Sequence, residues 1–388
     1  MTDLAGAPPA AVDGELSWSE AELPQHRRTK HVHRLHPYLG KFVPQLAETL
    51  LRRHAGPGAT VYDPFAGSGT TLVEANALGM HAVGTDISAF NCLLMRVKTG
   101  RHDLRVVDRE LAAALDRPPG DLPDSEYLRT WLAPTALREL TGFCGRIPDS
   151  PAADVLSVVA SRAARSARRV PHHALDWTRE PVTGPYACHK HRRECRPVEQ
   201  AAPFLRRYAA DTVARLEEFA TVRTAAAVEV HWADARSVEL PGRIDLVLTS
   251  PPYPGVIDYH DQHRYAYELL GLHDRSGLEL GAAAAGSSNR ALRAYSDGVA
   301  ETLAGLARSL RQGAAVVIVV NDRHGLYDGI AEQAGYRIEQ RLLRHVDRRT
   351  GRRAGAYYEE VLTLRRRDRA RRHISHSPVS RWKASLRV

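Results

Sequence analysis

The chain has 388 residues, 43% hydrophobic and 26% charged, enough for a full core and a smaller second region. No apolar run reaches bilayer length, and the first residues lack a signal peptide's charged and apolar regions, so a cytoplasmic location is expected. Cys92, Cys144, Cys188 and Cys195 are too few for a disulfide framework. The formal charge of +9 is concentrated in two places. From Arg365 to Val388 there are nine Lys/Arg and one acid; from Ser161 to Arg196 there are nine and three. The remainder is mildly acidic. Two basic zones on such a body suggest a polyanionic partner, since neutralising phosphates releases counterions. A solvated tail is the competing explanation.

In chain order, residues 1–25 are rich in Ala, Pro, Gly and acids without apolar periodicity and are expected to stay disordered. From Ala59 the run ATVYDPF, a Gly-rich turn, TTLVEANALGM and HAVGTDIS reads as strand, loop, helix, strand. Residues 101–225 read as a mostly helical insertion, with Phe204, Leu205, Tyr208, Leu216 and Phe219 on one helical face. Strands are expected at 225–232 and 244–250, a helix at 295–310 ending near Gly313, then strands at 314–320, 336–343 and 357–364. Strands alternating with helices give an α/β, doubly wound sheet. Its first part spans 26–100 and its second 226–366, and 367–388 is a basic disordered tail.

DPFAGSGTT (63–71) joins the first of these strands to its helix. Gly67 and Gly69 let backbone N–H groups approach a ligand at the positive end of that helix. Asp86 ends the next strand, where such folds place an acid on ribose hydroxyls. Leu72 occupies the third small position of a nicotinamide fingerprint, and Gly69-Thr70-Thr71 lacks the lysine of a phosphate-binding P-loop.

A second motif, TSPPY (249–253), follows the apolar strand IDLVL. Together the two motifs resemble motifs I and IV of the amino-DNA methyltransferases, which act on cytosine N4 or adenine N6. HPYLGKFVPQL (36–46) resembles the segment before motif I, GTDIS (84–88) motif II and WADAR (232–236) motif III. The resemblance implies a Rossmann-like methyltransferase sheet and an S-adenosylmethionine site lined by Lys41, Phe42, Asp63, Phe65, Gly67, Gly69, Asp86 and Asp234. It also implies DNA as partner, a nucleoid-associated location, and a companion restriction nuclease or defence system.

Chemistry supports the likeness. An exocyclic amine is a poor nucleophile because its lone pair is delocalised into the ring. Acceptors aimed at its N–H groups, here the Ser250 hydroxyl and the Pro251 carbonyl, free that lone pair for in-line attack on a methyl group. Pro251 and Pro252 stiffen the loop, and Tyr253 offers a face for a base flipped from the duplex. Asp258 and Tyr259, just downstream, are candidates to shape the base pocket, or equally a surface loop. Serine at the head of the motif implies cytosine N4; adenine N6, an RNA amino-methyltransferase and a silent DNA-binding subunit remain alternatives. No cysteine has the setting that cytosine C5 chemistry requires.

In the insertion, Arg162, Arg165 and Arg169 fall at i, i+3 and i+7 and are expected to form a basic stripe against DNA. CHKHRREC (188–195) offers Cys188, His189, His191 and Cys195 as a single cluster. Zinc sites usually show two separated ligand pairs, so no metal is assigned and Arg192 and Arg193 are read as DNA contacts. The target-recognition region is placed in 101–225, with 270–293 in reserve.

Overall fold

The computed structural model describes residues 11–38, 40, 43–172, 180–240, 242–346 and 357–367. Its strands are β1 (Ala11–Val12), β2 (Thr60–Asp63), β3 (His81–Asp86), β4 (Tyr186–Cys188), β5 (Arg193–Cys195), β6 (Val228–Trp232), β7 (Ile244–Thr249), β8 (Leu310–Val320), β9 (Tyr336–Val346) and β10 (Tyr357–Arg366). Eight form one sheet in the order β1-β9-β10-β8-β7-β2-β3-β6, while β4 and β5 pair separately. From β6 to β8 the strands are parallel, and β10 runs antiparallel between β8 and β9. The chain enters at β2, builds outward through β3 and β6, then returns to add β7 beside β2. Reversal at β2/β7 opens a crevice at the strands' carboxyl ends, where open α/β sheets bind ligands.

Strand side chains alternate between two cores. Val61, Leu246, Leu248, Val317 and Val319 pack with Leu46, Leu50 and Leu51 of the helix Pro44–His54. Tyr62, Val247, Val316 and Ile318 pack with Tyr295, Val299, Leu303 and Leu306 of the helix Asn289–Leu306. Burial on both faces explains the continuous apolar runs in these strands. That second helix begins earlier than 295 because Ser288 caps it, accepting from the Ala291 N–H. Gly313 (φ +77°) sits inside β8 rather than at the helix end.

The insertion between β3 and β6 contains helices Leu104–Leu115, Glu126–Trp131, Pro134–Cys144, Ala153–Ala167 and Ala202–Ala220, together with the β4–β5 hairpin. Its core (Leu111, Leu137, Leu156, Val159, Leu205, Phe219) is continuous with Phe90, Leu93 and Leu94 of the helix after β3.

One expectation is corrected at the N-terminal side. Residues 11–25 are ordered: β1 pairs with β9, the Asp13 N–H donates to the Leu343 carbonyl at 2.8 Å, and Leu16 and Leu23 are buried. Arg53 pairs with Asp13 and Glu15. Few apolar residues are involved, so no periodicity announces them; they cover a sheet edge that would otherwise be open. The expected tail lies outside the described residues from 368 onward.

Candidate active site

Asp63 ends β2 and is buried. One carboxylate oxygen accepts from the Phe65 N–H (3.1 Å) and from the Thr249 hydroxyl (2.6 Å), which locks the glycine loop to the end of β7. Burial raises the Asp63 carboxyl to about 6 despite these bonds. At Gly69 (φ +79°) a Cβ would lie 2.8 Å from Met95 Cγ, so only glycine fits the turn into the helix Thr70–Ala77. Gly67 (φ +50°) passes so close under Tyr38 that a Cβ would lie 3.1 Å from its hydroxyl. From behind, buried Lys98 donates to the Ser68 carbonyl at 2.6 Å.

Asp86 ends β3. Its two carboxylate oxygens accept from the N–H groups of Gly67 (2.9 Å) and Ser88 (2.8 Å), leaving lone pairs for a ligand. Burial holds this carboxyl near 6 as well. After β6, Asp234 is gripped by its neighbour Arg236 at 2.5 Å. Burial pushes the Asp234 carboxyl up, but the hydrogen bonds and charge of Arg236 bring it below its ordinary value.

Asp63, Phe65, Gly67, Asp86, Asp234, Ser250 and Pro252 all line one pocket at the crevice. Pro251 is buried and is not among the lining residues. Tyr253 is half-buried, and its hydroxyl donates to Glu359 on β10 at 3.2 Å beside the Ser250 side chain. Burial, then the Glu359 charge, holds the Tyr253 hydroxyl well above the usual phenol range. Glu359 is paired with Arg344 of β9 at 3.0 Å, so the last two strands brace the TSPPY loop. Lys41 and Phe42 lie outside the described residues, although Gly40 beside them lines the pocket.

Apart from Tyr259, the other parts of the wall were not assigned to the site from sequence. Tyr38 stacks on Tyr259 (centroids 5.9 Å apart) and on His263 (5.5 Å). His260 and Glu279 form a buried imidazole–carboxylate pair at the rim, and Glu279 also accepts from the His260 N–H at 2.8 Å. Tyr259, a base-pocket candidate in the sequence, lines this pocket together with its neighbour His260, which was not singled out; Asp258 is not among the lining residues. Glu279 comes from the 270–293 loop and carries no local signal. None of the four cysteines lines the pocket.

Comparison with known proteins decides the family. A family profile described as DNA methylase, of the N6/N4 type, matches residues 11–95. The Type II methyltransferase M.MjaII of Methanocaldococcus jannaschii is 32% identical, over 90% of this chain and 84% of its own. The chain belongs to the N4/N6 amino-methyltransferases of DNA. Type II methyltransferase M.MvaI of Kocuria varians shares 41% identity over 17% of this chain and 15% of its own. Among solved structures, TrmN from Thermus thermophilus matches with 14% identity and a TM-score of 0.34, over 84% of this chain and 50% of that one. The rRNA methyltransferase aviRa from Streptomyces viridochromogenes matches with 14% identity and a TM-score of 0.36, over 85% and 88%.

An amino-methyltransferase of this family uses S-adenosylmethionine and acts on DNA. The pocket suits that cofactor: Ser68 Oγ, Thr70 Oγ1 and Asn91 Oδ1 are buried along its wall without a protein partner, and Ile87, Ala233 and Leu278 give it apolar sides. No helix among the described residues is long and apolar enough to cross a membrane.

The expected arginine stripe is not formed. Arg162 is only 5% exposed, donates to the Thr212 hydroxyl at 2.8 Å and pairs with Asp211. Arg165 is half-buried, and Arg169 lies past the end of the helix Ala153–Ala167. Spacing placed the three on one face, but Arg162 packs against the helix Ala202–Ala220 instead of facing solvent. Arg192 and Arg193 are exposed at the tip of the β4–β5 hairpin.

Proposed function

We propose that this enzyme methylates the N4 amine of cytosine at a specific DNA sequence. The observation that carries the reading is Ser250: it heads the Pro-Pro-Tyr loop, at the end of β7, on the wall of the same pocket as Asp63, Asp86 and Asp234. The cofactor supplies an electrophilic methyl group. In this reading Asp86 accepts from its ribose hydroxyls, Asp234 faces its adenine, and Gly67 and Gly69 let the loop lie close. Lys41 and Phe42 would complete the wall.

The target amine donates its N–H groups to the Ser250 hydroxyl and the Pro251 carbonyl. Acceptors fixed in advance favour the tetrahedral nitrogen that forms during attack, without a covalent enzyme intermediate. Tyr253, its hydroxyl held by Glu359, offers its ring as a surface for the flipped base. The 101–225 insertion, with the exposed Arg192 and Arg193, is assigned to DNA recognition, and the Type II relatives support a restriction-modification setting.

Mass spectrometry of nucleosides from DNA methylated by the purified enzyme tests the proposal. N4-methylcytosine is the expected product. N6-methyladenine would overturn the reading of Ser250, and 5-methylcytosine would overturn the mechanism.

A further inference from the structure

The β4–β5 hairpin poses a stability problem. It pairs only Tyr186–Cys188 with Arg193–Cys195, and between residues 186 and 195 the only buried side chains are Cys188 and Cys195. An isolated two-stranded hairpin is marginal in water, and this one has no apolar core of its own. Something else must hold it.

Three side chains converge on a single atom, the Nδ1 of His191. Cys188 Sγ lies at 3.7 Å, Cys195 Sγ at 3.4 Å and His172 Nδ1 at 3.2 Å. All four ligand atoms fall within 4.8 Å of one another. One imidazole nitrogen has one lone pair or one proton, and cannot satisfy three partners. A cation at the centre satisfies all four. Bond lengths of about 2.3 Å to sulfur and 2.0–2.1 Å to nitrogen put tetrahedral ligands roughly 3.3–3.8 Å apart, close to the 3.2–3.7 Å of the three distances to His191 Nδ1.

We propose that His172, Cys188, His191 and Cys195 form a structural zinc site. Cys188 and His191 flank the turn as C-x-x-H, Cys195 closes the second strand, and His172 arrives from the chain that leaves the helix Ala153–Ala167. Its backbone N–H donates to the Tyr186 hydroxyl at 2.9 Å, which orients it over the hairpin. Two thiols and two imidazoles are the ligand set of closed structural zinc sites. Binding displaces both thiol protons to solvent and leaves a centre of no net charge, suited to the two buried sulfurs. The metal takes the place of a core, and the turn it stiffens carries Lys190, Arg192 and Arg193 outward.

A second cluster, His31, His33 and Glu74, differs in the decisive respect. There the Lys30 ammonium lies 2.8 Å from Glu74 and already supplies the positive charge.

Full-length protein, purified without chelator and dialysed, should contain one zinc per chain by elemental analysis. The Cys188→Ser/Cys195→Ser double variant should contain none, yet bind S-adenosylmethionine as the wild type does, because the cofactor pocket is built from other elements. Cobalt(II) added to chelator-treated wild type should give intense tetrahedral absorption with a thiolate charge-transfer band. Zinc should protect Cys188 and Cys195 from alkylation, and chelation should expose them. If the double variant fails to fold, the cobalt spectrum and alkylation of the wild type decide alone. A wild type with well under one metal per chain, octahedral cobalt without thiolate bands, or a Cys188–Cys195 disulfide would overturn the site.

Discussion

The crevice at the carboxyl ends of β2, β3, β6 and β7 and the insertion between β3 and β6 use charged residues in opposite ways. In the crevice, Asp63 and Asp86 are held by local backbone N–H groups and point into an open pocket. In the helices of the insertion, several arginines are internal ties. Arg162 joins two helices through Asp211 and Thr212, Arg146 pairs with buried Glu110, and Arg223 donates to the carbonyls of Gly100 and Thr99. Arg168 lies over the Tyr265 ring. The charges of the short, glycine-bounded motifs therefore line a pocket, while those named in the helical block serve packing.

Ser250→Ala tests the crevice most severely. Losing one preorganised acceptor should cut methyl transfer on the order of 100- to 1,000-fold. Cofactor affinity by calorimetry should be unchanged, and equal loss of both would return Ser250 to a merely structural part. Next in size, Arg162→Ala should lower stability by roughly 3 kcal/mol, because Thr212 loses its partner in the helix interface and Asp211 keeps only Arg215. Denaturant unfolding measures that cost. A variant of normal stability with weakened DNA binding would restore Arg162 to the DNA surface.

Cofactor binding should also depend on pH. The Asp86 carboxyl sits near 6, raised by burial, and its charged form is the better acceptor for ribose hydroxyls. Affinity is then full above about pH 6 and should fall up to about tenfold per unit below it, while Asp86→Asn should be weak and flat. Stability of the free enzyme runs the other way. Asp63 and Asp86 hold protons more tightly folded than unfolded, so stability declines as pH rises from about 4 to about 6. Calorimetry and thermal melts across that range separate the two trends. The smallest effect belongs to Arg192→Ala/Arg193→Ala: unchanged melting, DNA affinity several-fold lower, and a salt dependence shallower by about two charges.

Much of the sheet and glycine loop was legible because adjacent residues determine them. TVYD and LVLT alternate between two cores, and Gly69 answers a turn that nothing larger can make. The unreadable parts depend on distant partners. Arg162 meets residues 49 and 50 positions away, and Glu279 reaches the pocket only because the 270–293 loop folds back over His260. Residues 11–16 look unstructured until β9 exists to receive them. His172 stands 16 residues before Cys188, beyond the span of any compact ligand pattern read from CHKHRREC alone.

The position of β10 carries a consequence for synthesis on the ribosome. This strand, residues 357–366, lies between β8 and β9, and its Glu359 holds the Tyr253 hydroxyl. Until β10 has emerged, β8 and β9 have no neighbour to join them, β1 has no completed edge to dock on, and the TSPPY loop lacks its brace. Domains commonly fold as their chain emerges, but here the placing of β9 and β1 and the brace on the TSPPY loop wait for the residues near 360. A nascent or prematurely released chain would carry the glycine loop and TSPPY intact in sequence, yet lack the strand that braces the TSPPY loop.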